Sequence, residues 1–434
     1  MSGHFGTGGS VKTTAFAALL LGLLIGGPPC SAKGKFPPIK KAHWKLTEVP
    51  GEPNAPAVVL FSEGYVSIAQ QSATTKLNVV ERVKILTEQG VAEYAEYVVQ
   101  HDKDTRLTKL EARTILPGGK VVPVAKDAIF RRKSTIRSSE SPRRKRYKFF
   151  ETAIAFPAVE PGVILDFKYE VRFESPFQLS PWLFQSRIPT LHSEISYLIP
   201  DRFEIIPMPK PTENLEIHHE VDGDRIRARE LRVWMEEVPS IPDEPDSFPF
   251  PDLASSFHLV ISKDFLSVRS RIFDGWLNAC QTYYYWFYDD ALKKSDEARQ
   301  KAVELTESED DQSARARRIY EFVRDDIETV EVGGVGLFKG MTADTVLLDG
   351  KGAHAEKAIL LHAMFGAAEV PSQLVWARSR QRGKVVEENT SPLQFEKMLV
   401  AVDMPDERVY LDPAESGLPF GRLRYDYEGT RAVL

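Results

Sequence analysis

The chain has little cysteine, 2 residues in 434. So few thiols exclude a disulfide scaffold and any Cys-rich zinc or iron–sulfur site. It lacks an excess of positive charge. Its 56 Lys and Arg face 62 Asp and Glu, a formal net charge of -6. That balance excludes a nucleic-acid binder held by global charge. After residue 27 no apolar run approaches the roughly 20 residues that a membrane-spanning helix needs. Internal repeats are not visible either. What is there suits globular domains. The chain is 42% hydrophobic and 27% charged, too apolar for wholesale disorder and long enough for two or three domains.

The one apolar run lies at the start. Lys12 precedes a charge-free stretch at 15–27, Pro28 and Pro29 break it, and the small residues Cys30, Ser31 and Ala32 follow. A positive start, a short apolar core and a small-residue end make a secretory signal peptide. The run is about 13 residues, short for a bilayer span. Residues 1–32 are therefore expected to be removed after Ala32, with an uncleaved anchor as the rival, leaving an exported chain in the periplasm or outside the cell. Removal takes Lys12 and no acid, so 55 basic residues then face 62 acidic ones, a balance of -7. Cys280 becomes the one remaining thiol. Its segment, 276–286, is dense in aromatics and reads as the surroundings of a buried, inert thiol.

Residues 33–54, rich in Pro and Lys, read as a linker. From 57 to 197 short β-branched and apolar runs recur, at 57–60, 65–68, 77–86, 112–116, 121–124 and 163–173. Gln89-Gly90, Pro117-Gly118-Gly119 and Glu160-Pro161-Gly162 separate some of them as turn signals, with one helix expected at 91–99. This texture predicts an antiparallel β-sandwich-like domain over 55–240. A Pro-rich connector follows at 241–256. Between 131 and 148 stands a loop with nine basic residues: Arg131, Arg132, Lys133, Arg137, Arg143, Arg144, Lys145, Arg146 and Lys148. It reads as a solvated hairpin tip, or as a site for an anionic polymer or lipid headgroup.

From 257 onward a brief strand precedes helical periodicity. Asp311 or Ser313 can cap a helix with Ala316, Ile319, Tyr320, Val323 and Ile327 on one stripe. A glycine-rich stretch at 333–340 lacks the Lys-Ser/Thr ending of a phosphate loop. A helix from 353 to 365 comes next, then strands at 372–377, 397–402 and 408–411. Helices followed by antiparallel strands predict an α+β domain over 257–434.

The run Gly352-Ala-His-Ala-Glu-Lys-Ala358, with Leu360 and Leu361 beyond it, resembles the nucleophile helix of the bacterial transglutaminase-like superfamily. Members of that superfamily use a papain-like Cys-His-Asp triad. The resemblance implies a papain-like α+β core and puts His354 at the family's cysteine position. Ser391 to Val402 resembles the family's Phe-Asn-His strand, with Lys397 at the His position and Glu396 at the Asn position. Val409-Tyr-Leu-Asp-Pro413 resembles the strand ending in Asp-Pro-Thr, with Asp412 as the third triad member. The segments at 83–91, 112–120 and 159–167 resemble a β-rich domain of unknown function that precedes such cores in exported bacterial proteins.

The departures carry the functional reading. A cysteine at a helix N-terminus is activated because the dipole and a nearby His favour thiolate. Imidazole at His354 does not replace it, and Lys397 is no neutral base unless burial lowers its pKa by several units. Metal binding by His354, Glu356 and His362 fails on length, because eight helical residues span about 12 Å. No cofactor is expected. The chain is read as a catalytically degenerate transglutaminase-like protein with a binding or scaffolding role. Its partner would be a peptide-like or cell-wall ligand, or another envelope protein, and not nucleic acid. The rival is a hydrolase or acyltransferase working through a non-standard site.

Overall fold

The computed structural model describes residues 36–434, apart from 73, 103–104, 134–148, 213–215, 226–227, 246, 267–270, 331–334 and 338–339. Residues 1–32, read as a signal peptide, lie outside the described residues.

The β texture builds one large sheet and two small ones. Strand order in the large sheet is His218–Arg225, Ala228–Val238, Thr190–Pro200, Ala57–Ile68, Thr75–Ile85, Ile164–Phe173, Thr105–Ile115 and Val121–Pro123. Neighbours are antiparallel except at the centre, where Ala57–Ile68 and Thr190–Pro200 run parallel. The antiparallel expectation fails there because the two strands are far apart in sequence, and a crossover of that length permits either direction.

A bulge between Val59 and Phe61 keeps Ser62 and Val66 on the same sheet face as Val59. That face carries two apolar clusters. One, with Val59, Val83, Leu165 and Phe167, packs against Ile154 of the sheet Glu96–Asp102, Phe149–Ala155 and Ile129–Lys133. The other, with Val66, Ile195 and Val233, packs against the sheet Phe203–Lys210, Ser256–Asp264 and Trp182–Leu183. The architecture is thus a sandwich with one layer split in two. The split follows local chemistry. Thr87 caps a helix at Glu88–Tyr94, and Gly90, expected in a turn, lies in its first turn. A Cβ at Gly90 would stand 2.1 Å from the Pro56 carbonyl oxygen, so only glycine fits. The helix therefore ends earlier than expected, and Glu96–Asp102 is a strand.

The other face of the large sheet is covered by residues 36–46. This segment does not run free as a linker. Phe36, Ile39, Trp44 and Leu46 pack on Val58, Leu60 and Ile164.

Strand Ser256–Asp264 has two sides. Phe257, Leu259 and Ile261 join the sandwich core, while Val260 belongs to the C-terminal core. That core surrounds helix His354–Ala367, whose residues are almost all buried. Asp311 caps the preceding helix Gln312–Asp325 by accepting from Ala314 N at 3.0 Å, and Ala316, Ile319, Tyr320 and Val323 are buried as the stripe predicts. The antiparallel strands Arg408–Leu411, Lys397–Asp403, Ser372–Ala377 and Ala432–Val433 complete the α+β domain.

One ionisable group stands between the two sandwich clusters. Glu81 accepts a 2.7 Å hydrogen bond from Ser62 Oγ, and burial raises its carboxyl pKa from 4.5 to about 7. A carboxyl raised in the folded state holds its proton more tightly there than in the unfolded chain. Its penalty is absent below about pH 4.5, grows as pH rises and is complete above about pH 7. Glu81→Gln should therefore raise stability at pH 8 by up to about 3 kcal/mol and change little at pH 4.5. Melting curves at the two pH values check this, and equal shifts at both would contradict it.

Candidate functional site

The site is built where the first turn of one helix meets two strands. Gly350, in the left-handed region at φ 64°, ends helix Ala343–Asp349 and turns the chain into strand Lys351–Ala353. That strand pairs parallel with Glu328–Val330 and delivers the backbone to the N-terminus of helix His354–Ala367. Glu356 reaches back to accept from Ala353 N at 2.9 Å, satisfying one of the orphan donors of the helix start. Lys357 is fully buried beneath. Its ammonium donates to the carbonyls of Arg324 (3.2 Å) and Ile327 (2.6 Å) and to Thr329 Oγ1 (3.0 Å).

His354 is 7% exposed, and its Nδ1 accepts from the backbone N–H of Met398 at 3.2 Å. An imidazole nitrogen that accepts carries no proton, so the neutral ring bears its proton on Nε2. Met398 adjoins Lys397, so the structure ties His354 to the residue after Lys397. Lys397 Nζ lies 2.5 Å from Asp412 Oδ2, with side-chain exposures of 13% and 1%. The other oxygen, Asp412 Oδ1, accepts from Ala414 N at 3.0 Å. Lys397 and Asp412 are thus in direct contact, and the carboxylate is bonded on both sides.

Two neighbours were not foreseen. Glu415 Oε2 stands 3.7 Å from Lys397 Nζ, and the Tyr427 ring lies 5.3 Å from it. Glu396 turns the other way, accepting from Ser379 N at 2.7 Å and from Tyr427 Oη at 3.1 Å. Strand alternation places adjacent side chains on opposite faces. Burial, first, and the Glu396 charge, second, push the Tyr427 hydroxyl well above the usual phenol range. No short motif in the sequence marks Glu415 or Tyr427 as neighbours of Lys397.

Cys280 sits inside helix Trp276–Tyr283, half-buried. Burial pushes its thiol pKa up, the opposite of what an attacking thiolate requires. It shares a cavity of about 280 Å³ with His362, whose Nδ1 is bonded to Ser372 Oγ at 2.8 Å.

Of the basic-loop residues, Arg131 stacks over the Phe150 ring at 3.9 Å, and Arg132 pairs with Glu151 at 2.8 Å. Lys133 ends strand Ile129–Lys133. Arg137, Arg143, Arg144, Lys145, Arg146 and Lys148 lie outside the described residues.

Comparison with known proteins agrees with this architecture. The model of a domain of unknown function, DUF3857, matches residues 72–222, and that of the transglutaminase-like superfamily matches residues 299–403. A solved structure from Parabacteroides distasonis, described as "a putative protease", is similar at 17% identity and a TM-score of 0.65. The match covers 84% of this chain and 68% of that one. A second, from Cytophaga hutchinsonii, is described as "a putative cysteine protease". It has 7% identity over 79% of this chain and 76% of that one, with a TM-score of 0.24, too low to carry an argument. No curated protein matches. The chain therefore joins an N-terminal β-rich part, matched by a domain of unknown function, to a C-terminal α+β core that is transglutaminase-like.

Proposed function

We propose that this transglutaminase-like chain is an exported binding or scaffolding protein whose core no longer performs acyl transfer. In the register set by Glu356, Lys357, Ala358, Leu360 and Leu361, His354 occupies the nucleophile position of the family. The observation that carries the reading is the hydrogen bond from Met398 N to His354 Nδ1. It engages the one lone pair a neutral imidazole offers, so the ring has none left for attack or proton abstraction. Lys397 does not replace the base, because an ammonium paired with Asp412 at 2.5 Å is a donor only. The thiol that remains is the half-buried Cys280. Export rests on the leader-like residues 1–32. In an envelope compartment the natural partner is a peptide-like or wall-derived ligand, or another envelope protein.

The test uses residues 33–434 with amide and ester substrates and a free amine acceptor. Turnover should match the protein-free control, intact mass should show no acyl adduct, and His354→Ala should change neither. A wall-derived tetrapeptide should nonetheless bind in calorimetry. Turnover that His354→Ala abolishes would establish the hydrolase or acyltransferase rival instead.

A further inference from the structure

The inner face of the large sheet holds a cavity that plays no part in the site above. Its volume is about 340 Å³, and it opens between the two sandwich clusters. Tyr94, Tyr97, Phe156, Phe167 and Phe184 give it an aromatic wall. Glu81 lines it from the middle of strand Thr75–Ile85, opposite Ser62 on one neighbouring strand and Phe167 on the other. Ser62 Oγ, at 2.7 Å, is the hydrogen-bond partner of the Glu81 carboxylate. A second carboxylate, Glu96, lies among the lining residues and is 55% exposed.

The lining includes one cation, Arg187, and its charge is engaged elsewhere. It pairs with Asp243 at 2.7 Å, donates to the carbonyls of Ile241 and Pro242, and stacks over the Phe250 ring. Buried carboxylates are ordinarily matched by a cation or by several donors. Among the described residues the half-buried Glu81 has a single hydroxyl, beside aromatic rings whose faces attract positive charge. An anion is disfavoured by two carboxylates, and a purely apolar guest would leave Glu81 poorly solvated.

We propose that this cavity is a binding site for a small organic ammonium ion, its charged end against Glu81 and its apolar body among the aromatic rings. The volume is at the lower end for ligand pockets, suited to a compact amine rather than a peptide.

Binding requires the ionised carboxylate, so affinity should rise as pH passes through about 7. The groups facing Glu81 are Ser62, Tyr94 and Tyr97 with their neighbours Glu93 and Glu96, Tyr169 and Arg187. Burial keeps Tyr94 and Tyr169 protonated to about pH 12, so neither titrates in that range.

The test is calorimetry on residues 33–434 with 2-phenylethylammonium, tetramethylammonium and the uncharged 2-phenylethanol. At pH 8 at least one ammonium probe should bind, and 2-phenylethylammonium should exceed the alcohol by about tenfold or more. Glu81→Gln should remove that preference while its melting transition stays cooperative and moves up, as predicted above. Tyr97→Leu, which leaves the carboxylate in place, should weaken each ammonium ion that binds. Equal binding of amine and alcohol would overturn the proposal. So would ammonium binding unchanged in Glu81→Gln, or no binding by either ion up to about 10 mM, which would mark a cavity filled only by water.

Discussion

Replacing Arg82 with methionine should remove about 3–5 kcal/mol of stability. Arg82 is fully buried on the outer face of the large sheet. Its guanidinium holds Asp166 through two bonds, Nε to Oδ1 at 2.6 Å and Nη2 to Oδ2 at 3.0 Å. The same group donates to the carbonyls of Pro37 at 2.7 Å and Pro38 at 3.2 Å. Arg113 also binds Asp166, at 2.7 Å, and meets the N-terminal segment by stacking over the Phe36 ring at 4.3 Å. Methionine would leave a buried carboxylate half-matched and two carbonyls without a donor. Urea unfolding measures the loss. Residues 36–46 should become more open to protease in the folded variant, because Lys84, bonded to the carbonyls of His43 and Trp44, and the cations of Arg113 and Lys168 over the Phe36 ring would then carry their polar attachment. Adding Asp166→Leu should recover part of the loss, since removing both partners of a buried pair costs less than removing one. A single-variant loss below about 1 kcal/mol would show that the pair does not hold this face.

Lys357→Met should cost about 2–4 kcal/mol. Methionine fills much of the same volume, so packing changes little and the loss reports the ammonium. Three acceptors depend on it. Two are the carbonyls of Arg324 and Ile327, where helix Gln312–Asp325 ends, and one is Thr329 in the strand beside Lys351–Ala353. A cation at a helix C-terminus also meets the negative end of the dipole. Circular dichroism during denaturation should show the loss with native helix content retained. Unchanged stability would mean water reaches those carbonyls. The distinction matters for the family likeness: Lys357 helps set the register of the motif, yet its contacts are those of a structural anchor.

Much of the C-terminal core was legible. The helix at 354 and the strands at 372, 397 and 408 announce themselves by local periodicity, and Asp311 is a cap whose geometry needs only its neighbours. The likenesses at 391–402 and 409–413 gave Lys397 and Asp412 as candidates, and the two are in contact. What stayed hidden depends on residues remote in sequence. Gly90 reads as a turn until the Pro56 carbonyl presses on it. Residues 36–46 read as a linker until Arg82 and Lys84 supply partners. The parallel pair at the sheet centre follows from a long excursion with no local signature. Glu81 looks like an ordinary surface carboxylate, because a bulge at Val59/Phe61 decides which face Ser62 shares with it. Glu415 and Tyr427 reach Lys397 only through the fold of the last residues.

Strand Ser256–Asp264 falls between the two matched stretches, 72–222 and 299–403, and belongs to neither. Yet each core leans on one of its sides. It works as a party wall: the partition between the halves runs through the thickness of a strand, not across a length of chain. Neither half owns a complete hydrophobic enclosure without it. A change at Val260 is therefore felt on the side of the transglutaminase-like core and one at Leu259 on the side of the sandwich, although the two residues are neighbours in sequence.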